Sequence, residues 1–168
     1  TWIQGDINDT SALAQLTERC GALVHAAARM QGSDEEIHRS IVDGTRAAAS
    51  AARESGIPLI QISSLAVVDP ATSGGEGVVD DNLPLDPEAA DRGGYSRSKI
   101  EAEQLVNTMR RDGLEAVIVR PAQLVGDELD SVPPSVGVEF AGCRVALARL
   151  TAPLPLVHVD DAAAAILL

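Results

Sequence analysis

Three largely apolar segments place the strongest limit on how this chain can fold. They are Ala22–Ala27, Pro58–Ser64, which ends in two hydroxyl side chains, and Leu114–Val119. A strand with one face in water alternates apolar and polar residues, whereas a strand covered on both faces is apolar along its length. The sequence therefore predicts three strands that are buried on both faces.

A helical pattern precedes each of these strands. The capping residues and stop glycines of these patterns bound three predicted helices: Asn8–Thr10 to Gly21, Ser33–Glu36 to Gly56, and Tyr95 to Gly113. The second helix carries an apolar stripe made of Ile37, Ile41, Val42, Thr45, Ala48, Ala49 and Ala52. Alternating strands and helices predict an α/β fold with a doubly wound parallel sheet, whose ligands bind at the carboxyl ends of the strands.

The two ends of the chain carry further elements. Trp2–Gly5 is predicted to be a short strand, as is Leu154–Val159, and Asp160 or Asp161 is expected to cap a last apolar helix. The segment between residues 123 and 150 is less regular, and its pattern favours a helix from Phe140 to Leu150. The long connection from Asp69 to Gly94 has little periodicity and is expected to be functional.

The charge of the chain argues against polyanionic partners. Its 168 residues include 25 acidic and 13 basic side chains, a formal net charge of −12. Binding to nucleic acid or to an anionic membrane depends on clustered Lys and Arg, so neither partner is expected. The sequence has no apolar run long enough to span a bilayer and no basic leader, which favours a cytoplasmic protein. The spacing of His and Cys predicts no metal site.

Tyr95 and Lys99 are the only tyrosine and the only lysine of the chain. Four residues apart on a helix, they share one face, so an ammonium can act on a phenol there. A nearby cation favours the phenolate and lowers the pKa of a tyrosine from about 10 towards neutrality. The pair is therefore a candidate acid-base group, and the alternative is an exposed Tyr and Lys on a helix surface.

Ser63 and Ser64 close the second buried strand, where a hydroxyl can reach a substrate oxygen at the sheet edge. The alternative is that they form a turn or cap the backbone. A nucleophilic serine is disfavoured because no Gly-x-Ser-x-Gly elbow surrounds either residue.

Seven motifs in chain order resemble those of the extended short-chain dehydrogenase/reductases, the NAD-dependent epimerase/dehydratase family. They are Gly5-Asp6-Ile7-Asn8-Asp9, His25-Ala26-Ala27-Ala28, Gly44-Thr45, Ser63-Ser64, Tyr95 to Lys99, Arg120-Pro121 and Val157-His158-Val159-Asp160-Asp161. The resemblance covers nearly the whole chain. It implies a Rossmann-like domain over residues 1–168, with residues 123–156 contributing to a substrate-binding region.

The resemblance also implies roles for individual residues. Tyr95 would be the general acid/base, Lys99 would bind the nicotinamide ribose and lower the pKa of Tyr95, and Ser64 would hydrogen-bond the reacting oxygen. The cofactor would be NAD or NADP, and its implied contacts are Asp6 and Ile7 at the adenine, Ala26 and Ala27 along the cofactor, Tyr95 and Lys99 at the ribose, and Pro121 at the nicotinamide. The alternatives are a turn cap for Asp6 and simple packing for the two alanines.

Two departures from the family pattern are visible. Ile41 stands where the family usually has Asn, and the first βαβ unit, with its glycine-rich phosphate-binding turn, is missing. The sequence begins at what resembles the third strand of the family. We therefore expect an incomplete Rossmann-like sheet without its first two strands, with an exposed apolar face, in a chain that is part of a longer protein.

These features predict an NAD(P)-dependent oxidoreductase, epimerase or dehydratase that acts on a small carbonyl or hydroxyl compound, such as a sugar nucleotide or a sterol-like molecule. The alternative is a non-catalytic Rossmann-like module that senses a dinucleotide or supports a complex. A homodimer is expected to form through a four-helix interface built from residues 34–55 and 95–111 of each copy.

Overall fold

The computed structural model describes residues 2–68, 83–86, 88, 91, 93–126, 137–140, 143–146 and 155–168, with the backbone alone for 137–140 and 143–146. Most of the long connection predicted after residue 68, and much of the region 123–156, lie outside the described residues. The chain forms two units, residues 1–120 and residues 121–168.

The first unit is built on a parallel sheet of three strands in the order β1-β2-β3. The strands are β1 (Leu23–His25), β2 (Leu59–Ile62) and β3 (Ala116–Val119). Leu23 lies opposite Leu59, which in turn lies opposite Ala116. All three strands fall inside the predicted apolar segments, so the α/β class and the parallel sheet are confirmed.

The helices of this unit are α1 (Thr10–Thr17), α2 (Asp34–His38), α3 (Gly44–Ser55) and α4 (Gly94–Arg111). The sequence indicates the starts of the first two helices and the end of the third, whereas α1 ends at Thr17, before the predicted Gly21. Asp9 caps α1, and Ser33 with Glu36 forms a capping box at α2. Gly56 ends α3 with a φ of 66°, a left-handed conformation that glycine adopts without a steric penalty.

One π-helical turn joins α2 to α3. It spans Arg39–Asp43, so residues 34–55 form one helix with a wider turn in its middle. All seven residues of the predicted apolar stripe along this helix are buried. Its first part packs on α4, and the dimer predicted through these two helices stays a prediction.

The core of the first unit lies on one face of the sheet. It contains Leu23, Ala48, Ala49, Ala52, Leu59, Val106, Met109, Leu114 and Ala116. Val24 and Val117 point to the other face, where they are 40% and 59% exposed. The prediction that these strands are covered on both faces is therefore wrong for this part of the molecule, because α3 and α4 pack on only one side. The predicted exposed apolar face is present.

The expected strand at Trp2–Gly5 does not form. The structure assigns no strand there, and Trp2 is fully exposed. An apolar sequence becomes a strand only when a neighbouring strand accepts its hydrogen bonds, and no strand among the described residues pairs with this segment.

In the second unit, two short parallel strands pair. They are β4 (Gln123–Val125) and β7 (Leu156–His158), and the helix α5 (Val159–Ile166) follows β7 directly. The cap of α5 is His158, whose Nδ1 accepts from the Asp160 amide, so the predicted Asp160 or Asp161 cap is wrong. Both aspartates instead lie in the first turn, where their charge suits the helix dipole.

The predicted helix from Phe140 to Leu150 is also wrong. Strands β5 (Gly137–Phe140) and β6 (Cys143–Ala146) form an antiparallel pair, and residues 147–150 lie outside the described residues. Val138, Phe140 and Val145 are β-branched or aromatic residues, which favour strands, and only two residues separate the strands, as in a tight hairpin.

Candidate active site

Ser64 lies just beyond the end of β2, at the carboxyl edge of the sheet. Its Oγ accepts from the Ala66 amide at 3.1 Å and caps the 3₁₀ turn Leu65–Val67. The same side chain acts on the Tyr95 phenol and lowers its pKa. Ser64 therefore has the capping role that the sequence left open and also contacts the predicted acid-base residue.

Tyr95 is the second residue of α4, whose start is held close to α2. A Cβ added at Gly94 would overlap the Asp34 carboxylate, so that exposed side chain would have to move to admit any other residue. Arg97 donates to the same carboxylate at 3.2 Å. This close approach fixes the end of α4 that carries Tyr95.

The pKa of Tyr95 is raised above its ordinary 10.0, because burial disfavours the phenolate, while the hydrogen bond with Ser64 lowers it. The direction is opposite to the lowering predicted from the spacing of Tyr95 and Lys99. The Lys99 ammonium lies 5.8 Å from the centre of the Tyr95 ring, and burial is the largest influence on the Tyr95 pKa.

Lys99 is 4% exposed, which excludes the alternative of a surface lysine. Its Nζ donates to the Ile62 carbonyl oxygen at 2.8 Å. Burial lowers the pKa of Lys99 to about 8, and the nearby Glu103 raises it. The structure thus brings Ser64, Tyr95 and Lys99 together around the end of β2.

A buried polar layer lies beneath these residues. His25 and Gln61 are neighbours on β1 and β2, and Ser63 follows β2. Among the described residues, His25 Nε2, Gln61 Oε1 and Ser63 Oγ have no hydrogen-bond partner. Burial, together with the charge of Lys99, lowers the pKa of His25 to about 4, so this imidazole is neutral at pH 7.

Three of the predicted cofactor contacts lie together. Asp6, Ile7 and Ala27 line a cavity of about 310 Å³ beside α1. Asp6 also accepts from the Asn8 amide at 2.9 Å, which is the turn cap that the sequence left open, and its hydrogen bonds with Asn8 lower its pKa. Ala26 follows β1, and Pro121 belongs to the second unit.

Glu103 and Arg120 form an ion pair that the sequence did not single out as functional. Glu103 is fully buried one turn beyond Lys99, and Arg120 bonds both of its carboxylate oxygens, at 3.0 and 2.8 Å. The sequence signal for Glu103 is its spacing of four residues from Lys99, which itself lies four residues from Tyr95. This spacing places the acid on the same helix face as the other two side chains.

Two kinds of feature are absent from the described residues. No helix there is both long and apolar enough to cross a membrane. Within the same residues, no group of three or more His, Cys, Asp or Glu side chains is arranged to hold a metal ion.

Comparison with known proteins identifies the family. The pattern of the NAD dependent epimerase/dehydratase family matches residues 1–168. The chain therefore belongs to this family, and the resemblance noted in the sequence motifs is confirmed.

Individual relatives agree with this membership. The chain is 33% identical, over 74% of its length, to a 4-hydroxy-2-methyl-3-oxo-4-farnesyl-3,4-dihydroquinoline-1-oxide ketoreductase of Stigmatella aurantiaca. It is 28% identical, over 96% of its length, to a ceramide reductase of Caulobacter vibrioides. The chain spans 37% and 44% of these two proteins, less than half of each.

A solved structure shows the same fold. A short-chain dehydrogenase/reductase superfamily protein from Agrobacterium tumefaciens with bound NAD superposes with a TM-score of 0.61. The two sequences are 26% identical, and the match covers 73% of this chain and 38% of the other. The Rossmann-like fold predicted from the motifs is confirmed.

Proposed function

We propose that this chain carries the acid-base group of an NAD(P)-dependent reductase, with Ser64, Tyr95 and Lys99 as its catalytic residues. The observation that supports this most is the convergence of the three side chains. The Ser64 hydroxyl acts on a half-buried phenol, and a buried ammonium is held one helical turn away on the same face.

The residues fit a nicotinamide cofactor in their chemistry. Lys99 has three N–H donors and gives one to the Ile62 carbonyl, which leaves donors for the hydroxyls of a ribose. The cavity beside Ile7 and Ala27 is lined mostly by apolar side chains, which suits the flat face of a base. Asp6, Ile7, Ala26, Ala27 and Pro121 remain proposed contacts of NAD or NADP.

The proposed reaction is reduction of a carbonyl group. The cofactor, when bound, supplies a hydride to the carbonyl carbon. Ser64 donates a hydrogen bond to the carbonyl oxygen, and Tyr95 gives that oxygen its proton, so that an alcohol forms and the phenolate is reprotonated from solvent. A raised Tyr95 pKa suits this direction, because the phenol carries its proton at neutral pH.

A ketone is the proposed substrate class, because the two curated relatives are named a ketoreductase and a reductase. Epimerisation or dehydration remains the alternative reaction within the family. We propose that the protein acts in the cytoplasm on a small molecule, with residues 123–156 contributing to its binding.

The first test is cofactor binding by the full-length protein. We expect NADH or NADPH to bind with a change in the fluorescence of the nicotinamide. Binding of neither would contradict the proposal and would favour a scaffold module.

The second test removes the proton donor. In a screen of ketones, Tyr95→Phe is expected to lower turnover by at least about 100-fold, since general acid catalysis contributes roughly 10²–10⁴, while cofactor binding is retained. Thr108→Val, which removes an exposed hydroxyl from the same helix, is the matched control and should retain activity. Equal turnover in Tyr95→Phe and the control would rule out Tyr95 as the acid.

A further inference from the structure

A third charged residue continues the series of Tyr95 and Lys99 along α4. The positions 95, 99 and 103 are four apart, so they share one face of the helix. Glu103 has no exposed surface, and Lys99 is 4% exposed. An acid and a base are therefore buried one turn apart, directly behind the proposed proton donor.

Arg120 fixes the Glu103 carboxylate in place. Its Nε and Nη2 donate to the two carboxylate oxygens. These two parallel bonds fix both the orientation of the Glu103 carboxylate and its distance from the guanidinium. Its Nη1 donates to the Leu83 carbonyl oxygen at 3.3 Å. One arginine thus connects the end of β3, the middle of α4 and the described part of the long connection.

Lys99 needs an anion nearby if it is to stay charged. Burial lowers its pKa to about 8, and its bond to the Ile62 carbonyl is to an uncharged oxygen. The surrounding groups add no negative charge: His25 on β1 is neutral at pH 7, Gln61 on β2 is an amide, and Tyr95 keeps its proton. Glu103 is the acid that acts on Lys99, and the cation Arg120 is engaged with that acid.

We propose that Glu103, held by Arg120, is a positioning residue that keeps the buried Lys99 ammonium charged and ready to bind the cofactor ribose. This inference rests on the proposed function for its catalytic meaning. The competing explanation is a mechanical brace, in which the ion pair only ties α4 to β3.

The two explanations differ in the titration of Lys99. In the full-length protein labelled with ¹³C at lysine Cε, the Lys99 signal is assigned from its loss in Lys99→Arg, and its pKa is measured by NMR. In Glu103→Gln, loss of an anion about 6 Å away should lower the Lys99 pKa by about one to two pH units. A folded Glu103→Gln protein with an unchanged Lys99 pKa would overturn the proposal.

Glu101→Gln is the matched control. Glu101 is an exposed acid on the same helix, paired with His38 at the surface. Its replacement should leave the Lys99 pKa unchanged, and an equal decrease in both variants would also overturn the proposal, because the effect would then be one of total charge.

A second variant covers the case in which Glu103→Gln does not fold. Glu103→Gln with Arg120→Gln removes both charges and leaves no unpaired buried ion. Arg120 carries the opposite charge and lies on the far side of the ion pair's bond to Glu103, so the double variant should lower the Lys99 pKa by less than Glu103→Gln does. An unchanged value in the folded double variant would contradict the proposal.

Turnover gives the functional measurement. If the wild-type protein is active, the alkaline limit of its pH profile should move to lower pH in Glu103→Gln and stay in place in Glu101→Gln. A brace would lower activity at every pH without moving that limit. If the wild-type protein binds no cofactor, the proposed function fails, whereas the Lys99 titration still decides the role of Glu103.

Discussion

His25 shows how a single buried side chain makes the fold sensitive to acid. Its ring is 3% exposed, and burial beside Lys99 lowers its pKa to about 4, well below the ordinary 6.5. Between these two values the unfolded chain binds a proton that the folded chain does not. Stability is therefore expected to fall as the pH decreases from 6.5 to 4 and to level off below that range.

The measurement is the free energy of unfolding in urea at pH 7 and at pH 4.5. His25 is expected to account for a loss of up to about 3 kcal/mol between neutral pH and pH 4, because one pKa unit corresponds to about 1.4 kcal/mol. In His25→Gln this part of the pH dependence should disappear. His38→Gln, at an exposed site, should retain it, and equal slopes in wild type and His25→Gln would contradict the assignment.

Residue type and spacing were enough to predict some residues of the site, but not how deeply they are buried. Tyr95 and Lys99 stand out because each is the only residue of its type at a helical spacing. The depth of Lys99 was not predictable, since a lysine on an amphipathic helix is usually exposed. The Arg120 partner of Glu103 lies on another element, and no local pattern reveals such a contact.

At the scale of elements, the helix over residues 34–55 packs against α4 with its first part and against the sheet with its second part. Ile37 and Ile41 form a buried cluster with Ala102 of α4, and Tyr95 packs against this cluster. Ala48, Ala49 and Ala52 pack in the core beneath the sheet. Ile41, where the family usually has Asn, therefore gives Tyr95 an apolar support.

Shortening Ile41 tests this support. Ile41 is 1% exposed, so Ile41→Ala should cost about 2–5 kcal/mol of unfolding free energy and Ile41→Val about 0.5–1.5 kcal/mol. Thermal or urea unfolding measures both. If both variants were as stable as the wild type, the space left by the shortened side chain would have been filled at no cost in unfolding free energy. Ile41 would then not support Tyr95.

The starts of α1 and α2 and the end of α3 were well predicted because their chemistry is local. Asp9, Ser33 and Gly56 act through their own or adjacent backbone. Strand pairing was harder to predict because it depends on distant partners, as the wrong assignments at Trp2–Gly5 and Phe140–Leu150 show. The π turn is compatible with the 3.6-residue stripe, so the pattern of apolar residues did not reveal it.

At the scale of the whole molecule, the open face of the sheet is the main unusual feature. Val24 and Val117 are exposed on two strands that flank β2, whose Ile60 lies between them in register. Since exposed apolar patches favour association, this surface should bind other apolar groups.

A hydrophobic dye tests this expectation. The 168-residue chain should increase the fluorescence of such a dye, and Val24→Thr with Val117→Thr should reduce the increase while keeping β-branched residues in the strands. The full-length protein provides the comparison, and weaker dye binding there would mean that other segments cover the face. No dye binding by the 168-residue chain would contradict an open face.

The π turn at Arg39–Asp43 has a consequence for changes in chain length. Deleting a residue from an ordinary helix rotates everything beyond it by about 100° and moves each apolar side chain off its neighbour. A π turn holds one residue more than the α-helical path requires. Loss of one residue there would restore a regular helix and leave Ile37 facing α4 and Ala48 facing the sheet, which makes this turn the place where the helix tolerates a deletion.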